Sequence, residues 1–174
     1  GGLVVLVAIP FVLPASRVSA WTTYLTFAIL ALAIDLVWGY TGLLTLGHAA
    51  FFGAGAYLTA KLLKGVAVIP DVVVVFLLAP LFCAVLTLVI GWFLFSANVS
   101  DSYFAISTLI VSIVFSRVAG EFVGFLGGFN GIYSIPSLTI FGFEPNTPTT
   151  YLFVLGVLVV LFVLSRGIVT SAFG

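Results

Sequence analysis

Two ionisable residues stand inside apolar sequence, where a charge is costly. Asp35 lies in Ala31-Leu32-Ala33-Ile34-Asp35-Leu36-Val37-Trp38, and His48 in Leu46-Gly47-His48-Ala49-Ala50. Within a membrane such groups face a protein interior or a wet path, where they line a polar route or relay a proton. The local reading is that each bonds neighbouring backbone at a helix break, because Gly39, Gly42 and Gly47 fall between them. A second group is hydroxylic. Thr108, Ser112 and Ser116 follow one another at i+4 spacing, with Asp101 and Ala105 continuing the stripe, so a helix sets them on one face. Hydroxyls placed this way can wet a path for a polar solute, bond across to another helix, or return to their own i−4 carbonyls. The residues alone leave these readings open.

Hydrolytic and metal chemistry find less support. With one His and one Cys, Cys83, zinc ligation needs an unusual carboxylate set. Neither Asp35 nor His48 has a nucleophile partner at a telling spacing. The phosphate-cradling pattern Gly-x-x-x-x-Gly-Lys-Ser/Thr is missing from the sequence, so any use of ATP is expected on another subunit. The expectation is a chain that is not an enzyme and carries no cofactor or metal of its own.

The elements that must position these side chains follow from composition. Of 174 residues, 63% are hydrophobic and 6% are charged, five basic and five acidic, against about 25% charged in a soluble domain. Too little polarity remains to cover a water-facing surface, and there is no basic patch for nucleic-acid phosphates. A lone cysteine excludes a disulfide framework. A membrane-spanning helix takes about 20 apolar residues. Apolar runs broken by Gly, Pro and charges give six segments, at 3–13, 21–39, 46–63, 72–95, 103–119 and 151–164. Trp21 and Trp38 bracket the second as candidate interface residues. Period-2 alternation is missing, which argues against a barrel. The expected fold is therefore all-α, a polytopic membrane protein of about six hydrophobic segments forming one transmembrane domain over 1–174.

Within that frame the third segment carries Ala49, Gly53, Ala56 and Ala60 on one helical face. Small residues at this spacing let helices pack closely; the sharper reading is a broken or re-entrant helix lining a cavity. Arg117 and Glu121, also i and i+4, read as an interfacial ion pair. Residues 120–150 form a Gly/Pro/aromatic-rich loop with three of the seven prolines, Pro136, Pro145 and Pro148, which forbid a continuous helix. Phe125, Phe129, Tyr133, Phe141 and Phe143 point to a packed lid. The chain has no Met, which reads as a processed chain or a fragment with a shortened first helix.

The stretch Ala33-Ile34-Asp35-Leu36-Val37-Trp38-Gly39-Tyr40-Thr41-Gly42-Leu43-Leu44-Thr45-Leu46-Gly47-His48-Ala49-Ala50-Phe51-Phe52-Gly53-Ala54-Gly55-Ala56-Tyr57 closely resembles the signature of ABC transporter permeases for branched-chain amino acids, the LivM-type subunits, and of their urea and short-amide relatives. Asp101-Ser102-Tyr103-Phe104-Ala105-Ile106-Ser107-Thr108-Leu109 is similar to that family's Gly-Asp-Tyr-Phe-Ala-Ile-x-Thr-Leu. Gly127-Gly128-Phe129-Asn130-Gly131-Ile132 resembles its Gly-Gly-x-Asn-Gly-Ile loop, which singles out Gly127, Gly128, Asn130 and Gly131. Two departures stand out. Ser96-Ala97-Asn98-Val99-Ser100 replaces the basic residues usual before Tyr-Phe-Ala-Ile, and Asp35 sits where amino-acid permeases often have Asn.

The resemblance implies a permease subunit of an ATP-driven importer in the cytoplasmic (inner) membrane of a prokaryote. Its partners would be a second related permease, two cytoplasmic ATPase subunits holding ATP and Mg, and an extracytoplasmic substrate-binding protein. The ATPase-docking loop of that family follows the segment after Ser165-Arg166, so it is expected beyond Gly174. Asp35, His48, Thr108 and Ser112 are the residues expected on the substrate pathway. Urea or a short amide is the alternative substrate, and a proton-coupled secondary transporter using Asp35 and His48 is the alternative of another class. If all six segments span, Arg17, Lys61, Lys64 and Arg117 share one side, opposite Arg166. The positive-inside rule makes that side cytoplasmic, whereas the resemblance implies Arg166 inside and the 120–150 loop outside. The orientation implied by the resemblance is taken as the expectation.

Overall fold

The computed structural model describes residues 2–65, 70–96, 101–122, 126–136 and 145–170, without the side chains of Leu3, Asp101, Ser102 and Phe129. Each of the six apolar runs forms a helix: α1 Gly2–Val12, α2 Ala15–Thr41, α3 His48–Gly65, α4 Asp71–Ser96, α5 Asp101–Glu121 and α6 Thr147–Val169. No strand occurs among the described residues. Four helices are long and apolar enough to cross a membrane: α2, α4, α6 and residues Tyr103–Glu121 of α5. Their outward faces are apolar, as on α4, where Leu88 is 71%, Trp92 79% and Phe93 73% exposed. Exposure on that scale marks a surface made for lipid. The chain is a multi-pass membrane protein. It divides into two compact units, one of residues 1–42 and 145–174 and one of residues 43–144.

In the first unit α2 packs along α6, and α1 covers one end of the pair. The core is Val18 and Leu25 of α2 with Tyr151 and Leu155 of α6, bordered by Leu6, Ile9 and Leu13. A proline explains the placement of Tyr151. Pro10, inside α1, has no N–H to return to the carbonyl of Leu6 four residues earlier. The Tyr151 hydroxyl, on a side chain with 0% exposure, donates to that carbonyl at 2.9 Å. A part-buried carbonyl orphaned by the sequence is thereby satisfied from a helix 145 residues away. The hydroxyls of α2 are satisfied locally, Thr22 donating to the Val18 carbonyl at 2.9 Å and Thr26 to that of Thr22 at 3.0 Å. Gly42 (φ 70°) caps α2 in the left-handed region, its N–H returning to the Trp38 carbonyl.

In the second unit α3 packs against α4 and α5. The α4 helix contains a π-helical stretch, Val74–Leu78, in which the Ala79 N–H reaches back five residues to the Val74 carbonyl. Pro80 follows directly. Its ring would clash with the carbonyl of Phe76 in a regular helix, and the wider π turn makes room for it. Further along, α3 and α4 approach at Gly55. A Cβ there would lie 2.9 Å from the Cys83 sulfur, and the Cys83 thiol donates to the Phe51 carbonyl at 3.6 Å. Glycine at 55 is what permits that distance.

Candidate functional site

The second unit begins with a non-helical stretch, residues 43–47, leading into α3. Backbone without helical partners must find others inside a membrane protein. The hydroxyl stripe of α5 supplies them. Thr108, 5% exposed, accepts the Leu46 N–H at 3.1 Å while donating to the Ala105 carbonyl at 3.0 Å. One turn on, the Ser112 hydroxyl donates to the Leu46 carbonyl at 3.2 Å. Both backbone groups of one residue are thus held by an i, i+4 hydroxyl pair. Gly47 lets this stretch lie close: a Cβ there would meet the Thr108 Cβ at 3.1 Å and the Thr108 carbonyl oxygen at 3.3 Å. Thr45 completes the entry, its hydroxyl accepting the Gly47 N–H at 3.3 Å and lying 3.4 Å from His48 Nδ1. His48, half-buried, opens α3 beside this hydroxyl.

Beyond the clamp α3 and α5 run side by side and enclose a cavity of about 600 Å³, within the about 300–1,000 Å³ usual for small-molecule sites. Ala49, Gly53 and Ala54 of α3 and Phe115 and Ala119 of α5 form much of its wall, with Phe82 from α4. The polar lining is sparse: Ser112 and Ser116 on one side, Tyr57 and Lys61 on the other. Leu126 and Gly128 also line it. Small residues leave the space. A Cβ at Gly53 meets no heavy atom within 4 Å.

The loop that supplies Gly128 is built on glycine. Gly127, Gly128 and Gly131 have φ of 81°, 62° and 68°, a region that side chains rarely adopt. Gly128–Asn130 form a 3-10 turn, closed by the Gly131 N–H on the Gly128 carbonyl at 3.1 Å. A Cβ at Gly127 would overlap the Gly131 carbonyl. The loop is tied to the end of α3, where Lys64 donates to the Tyr133 carbonyl at 3.0 Å and rests 4.9 Å from the centre of the Tyr133 ring, within cation–π range.

The structure therefore brings His48, Thr108 and Ser112 together around Thr45–His48, and of these three only Ser112 lines the cavity. Asp35 belongs to the first unit, exposed on α2. Of the small-residue stripe, Ala49 and Gly53 line the cavity, Ala60 is buried and Ala56 is exposed. The close backbone approaches fall instead at Gly47, just before α3, and at Gly55. Asn130 is exposed, and Arg117 and Glu121 stand exposed near the end of α5. Phe125, Phe141 and Phe143 lie outside the described residues. Sequence reading passed over Tyr57 and Lys61 as pathway residues; their i, i+4 spacing from Gly53 along one α3 face was the available signal. Among the described residues no three His, Cys, Asp or Glu side chains gather as a metal site would require.

Comparison with known proteins bears on the family of this chain. The family model described as branched-chain amino acid transport system / permease component matches residues 16–174. The high-affinity branched-chain amino acid transport system permease protein LivM of Salmonella typhimurium is 32% identical over 152 residues, 84% of this chain and 34% of that protein. The protein of the same name from Escherichia coli is 31% identical over 147 residues, 82% of this chain and 32% of its own length. The chain thus spans about a third of the length of the curated relatives it matches. No solved structure matches it. With the helices, the hydroxyl clamp and the Gly-Gly-Phe-Asn-Gly turn in place, the match over residues 16–174 shows that the chain belongs to the family of branched-chain amino acid transport system permease components.

Proposed function

We propose that this chain forms part of the membrane-spanning permease subunit of an ATP-driven importer, moving branched-chain amino acids across the cytoplasmic membrane of a prokaryote. The family match carries the reading, and the cavity between α3 and α5 supports it. Its walls are mostly apolar, suiting a branched aliphatic side chain, and its few polar groups suit the charged end of an amino acid. The path would run along α3 and α5, with the Leu46 clamp holding the start of α3 in register against Thr108 and Ser112. Chemical work is supplied elsewhere: two cytoplasmic ATPase subunits hold ATP and Mg, a second related permease completes the pore, and an extracytoplasmic binding protein delivers substrate. Movement is by alternating access, since a ligand shifts a two-state equilibrium only through different affinities for the two states.

The test is uptake of labelled leucine by the full-length permease with its partner subunits in proteoliposomes. The reading expects uptake that requires ATP and is blocked by excess valine but not by urea. ATP-driven urea uptake without leucine uptake would reassign the substrate, and uptake driven by a proton gradient without the ATPase subunits would replace the mechanism.

A further inference from the structure

Two hydrogen bonds hold Leu46 to α5, and they differ in access. The bond from its N–H to the Thr108 hydroxyl is part-buried, whereas the bond its carbonyl accepts from Ser112 is exposed. Ser112 is also one of the few polar residues lining the cavity, and Leu46 lies in the non-helical stretch that leads into α3. A serine hydroxyl has one proton to give, and here a neutral peptide carbonyl at 3.2 Å takes it. A carboxylate is the better acceptor, since a hydrogen bond to an ionised group is about twice as strong as a neutral one. The Leu46 carbonyl, once released, is in turn an acceptor for an ammonium group. The part-buried Thr108 bond can keep the Leu46 N–H in place while the carbonyl changes partner.

An α-amino acid carries a carboxylate and an ammonium on the same carbon. It can therefore exchange one neutral bond for two charge-assisted ones, from the Ser112 hydroxyl to its carboxylate and from its ammonium to the Leu46 carbonyl. Resting on the reading of this cavity as the substrate path, we propose that the Ser112 hydroxyl and the Leu46 carbonyl form the subsite for the α-carboxylate and α-ammonium of the substrate. Lys61 lines the same cavity but already has a partner, and the subsite does not draw on it. Ser112 is then a specificity-determining residue as well as half of the clamp on Leu46. An amine without the carboxylate offers Ser112 nothing better than the bond it already makes.

The experiment uses the full-length permease, assembled with its partners in lipid nanodiscs, with Cys83 and any other cysteine replaced and Gly53→Cys introduced as a reporter. Position 53 lines the cavity and has room for the side chain. A solute in the cavity slows labelling by a water-soluble maleimide, and the leucine concentration that halves the rate is measured. Ser112→Ala should raise that concentration about five- to tenfold, the difference between a charge-assisted bond and the neutral one it displaces. Ser112→Thr, which keeps the hydroxyl, should restore it. Isoamylamine, leucine without its carboxylate, should behave alike with and without the Ser112 hydroxyl. An equal loss for leucine and isoamylamine would make Ser112 purely structural and overturn the proposal. A leucine concentration unchanged in Ser112→Ala would overturn it and leave the cavity as the path. No protection by leucine with Ser112 present would overturn both. Urea that protects as leucine does, with the same dependence on Ser112, would make the pair a general amide site and overturn its assignment to amino acids. Co-purification of each variant with the partner subunits controls for folding.

Discussion

Replacing Thr108 with valine should release Leu46 while preserving shape. The side chain keeps its volume but loses the oxygen that accepts the Leu46 N–H at 3.1 Å. Thr108 is 5% exposed, so water has little access to replace it. An amide left unsatisfied in such a place costs about 1–3 kcal/mol. The Ala105 carbonyl, the other partner of the hydroxyl, keeps its helical bond and adds little. Since 1.4 kcal/mol is a factor of ten, opening of residues 43–47 should become about 5- to 150-fold more frequent. Ser112→Ala should do less. Ser112 lines the cavity, where water can hydrate the Leu46 carbonyl, so the expected loss is about 0.5–1 kcal/mol, or about 2- to 5-fold. Hydrogen exchange at the Leu46 amide in the full-length permease in lipid reads these changes directly. Unchanged exchange in Thr108→Val, or a larger effect from Ser112→Ala, would refute the clamp.

Other substitutions test the remaining devices. Tyr151→Phe deprives the Leu6 carbonyl of its donor beside a proline that cannot supply one, and should cost about 1–3 kcal/mol; a thermal midpoint equal to that of the parent would contradict this. Gly127→Ala forces a side chain to φ 81° and against the Gly131 carbonyl, so the Gly128–Asn130 turn should be lost. Gly131→Ala, with no atom within 4 Å of its Cβ, should meet only the backbone penalty of its φ 68°, ψ −175° conformation, about 1–3 kcal/mol. Protease susceptibility of the loop should therefore rank Gly127→Ala above Gly131→Ala, and the reverse order would sink the reasoning.

Much of this architecture was legible because lipid makes demands that sequence must meet. Apolar runs located the helices α1 to α6, and the i+4 hydroxyls of Thr108 and Ser112 were visible as one face. What those hydroxyls meet was not visible, because Leu46 lies 62 residues from Thr108 and any non-helical backbone would have served as partner. Tyr151 looked like one more aromatic in an apolar run. Only the position of Pro10, four residues after Leu6, signals that a carbonyl needs a donor, and nothing local says which helix brings it. Pro80 carried a similar signal for the π stretch of α4. The small-residue stripe shows how spacing alone can mislead about direction: Gly53 opens onto space, while Gly55, off that stripe, meets Cys83. The resemblance to known permeases singled out Gly127, Gly128 and Gly131 but not their reason, which is three positive-φ backbones in one turn.

The proposed function depends most on the cavity between α3 and α5 being the substrate path. Gly53→Phe in the full-length permease tests it directly. The new ring enters open space beside Gly53, and phenylalanine suits a helix better than glycine does, so the helix should be retained and assembly with the partner subunits is checked by co-purification. ATP-dependent leucine uptake should fall to background in the assembled variant. Uptake at the parent rate with the cavity filled would contradict it.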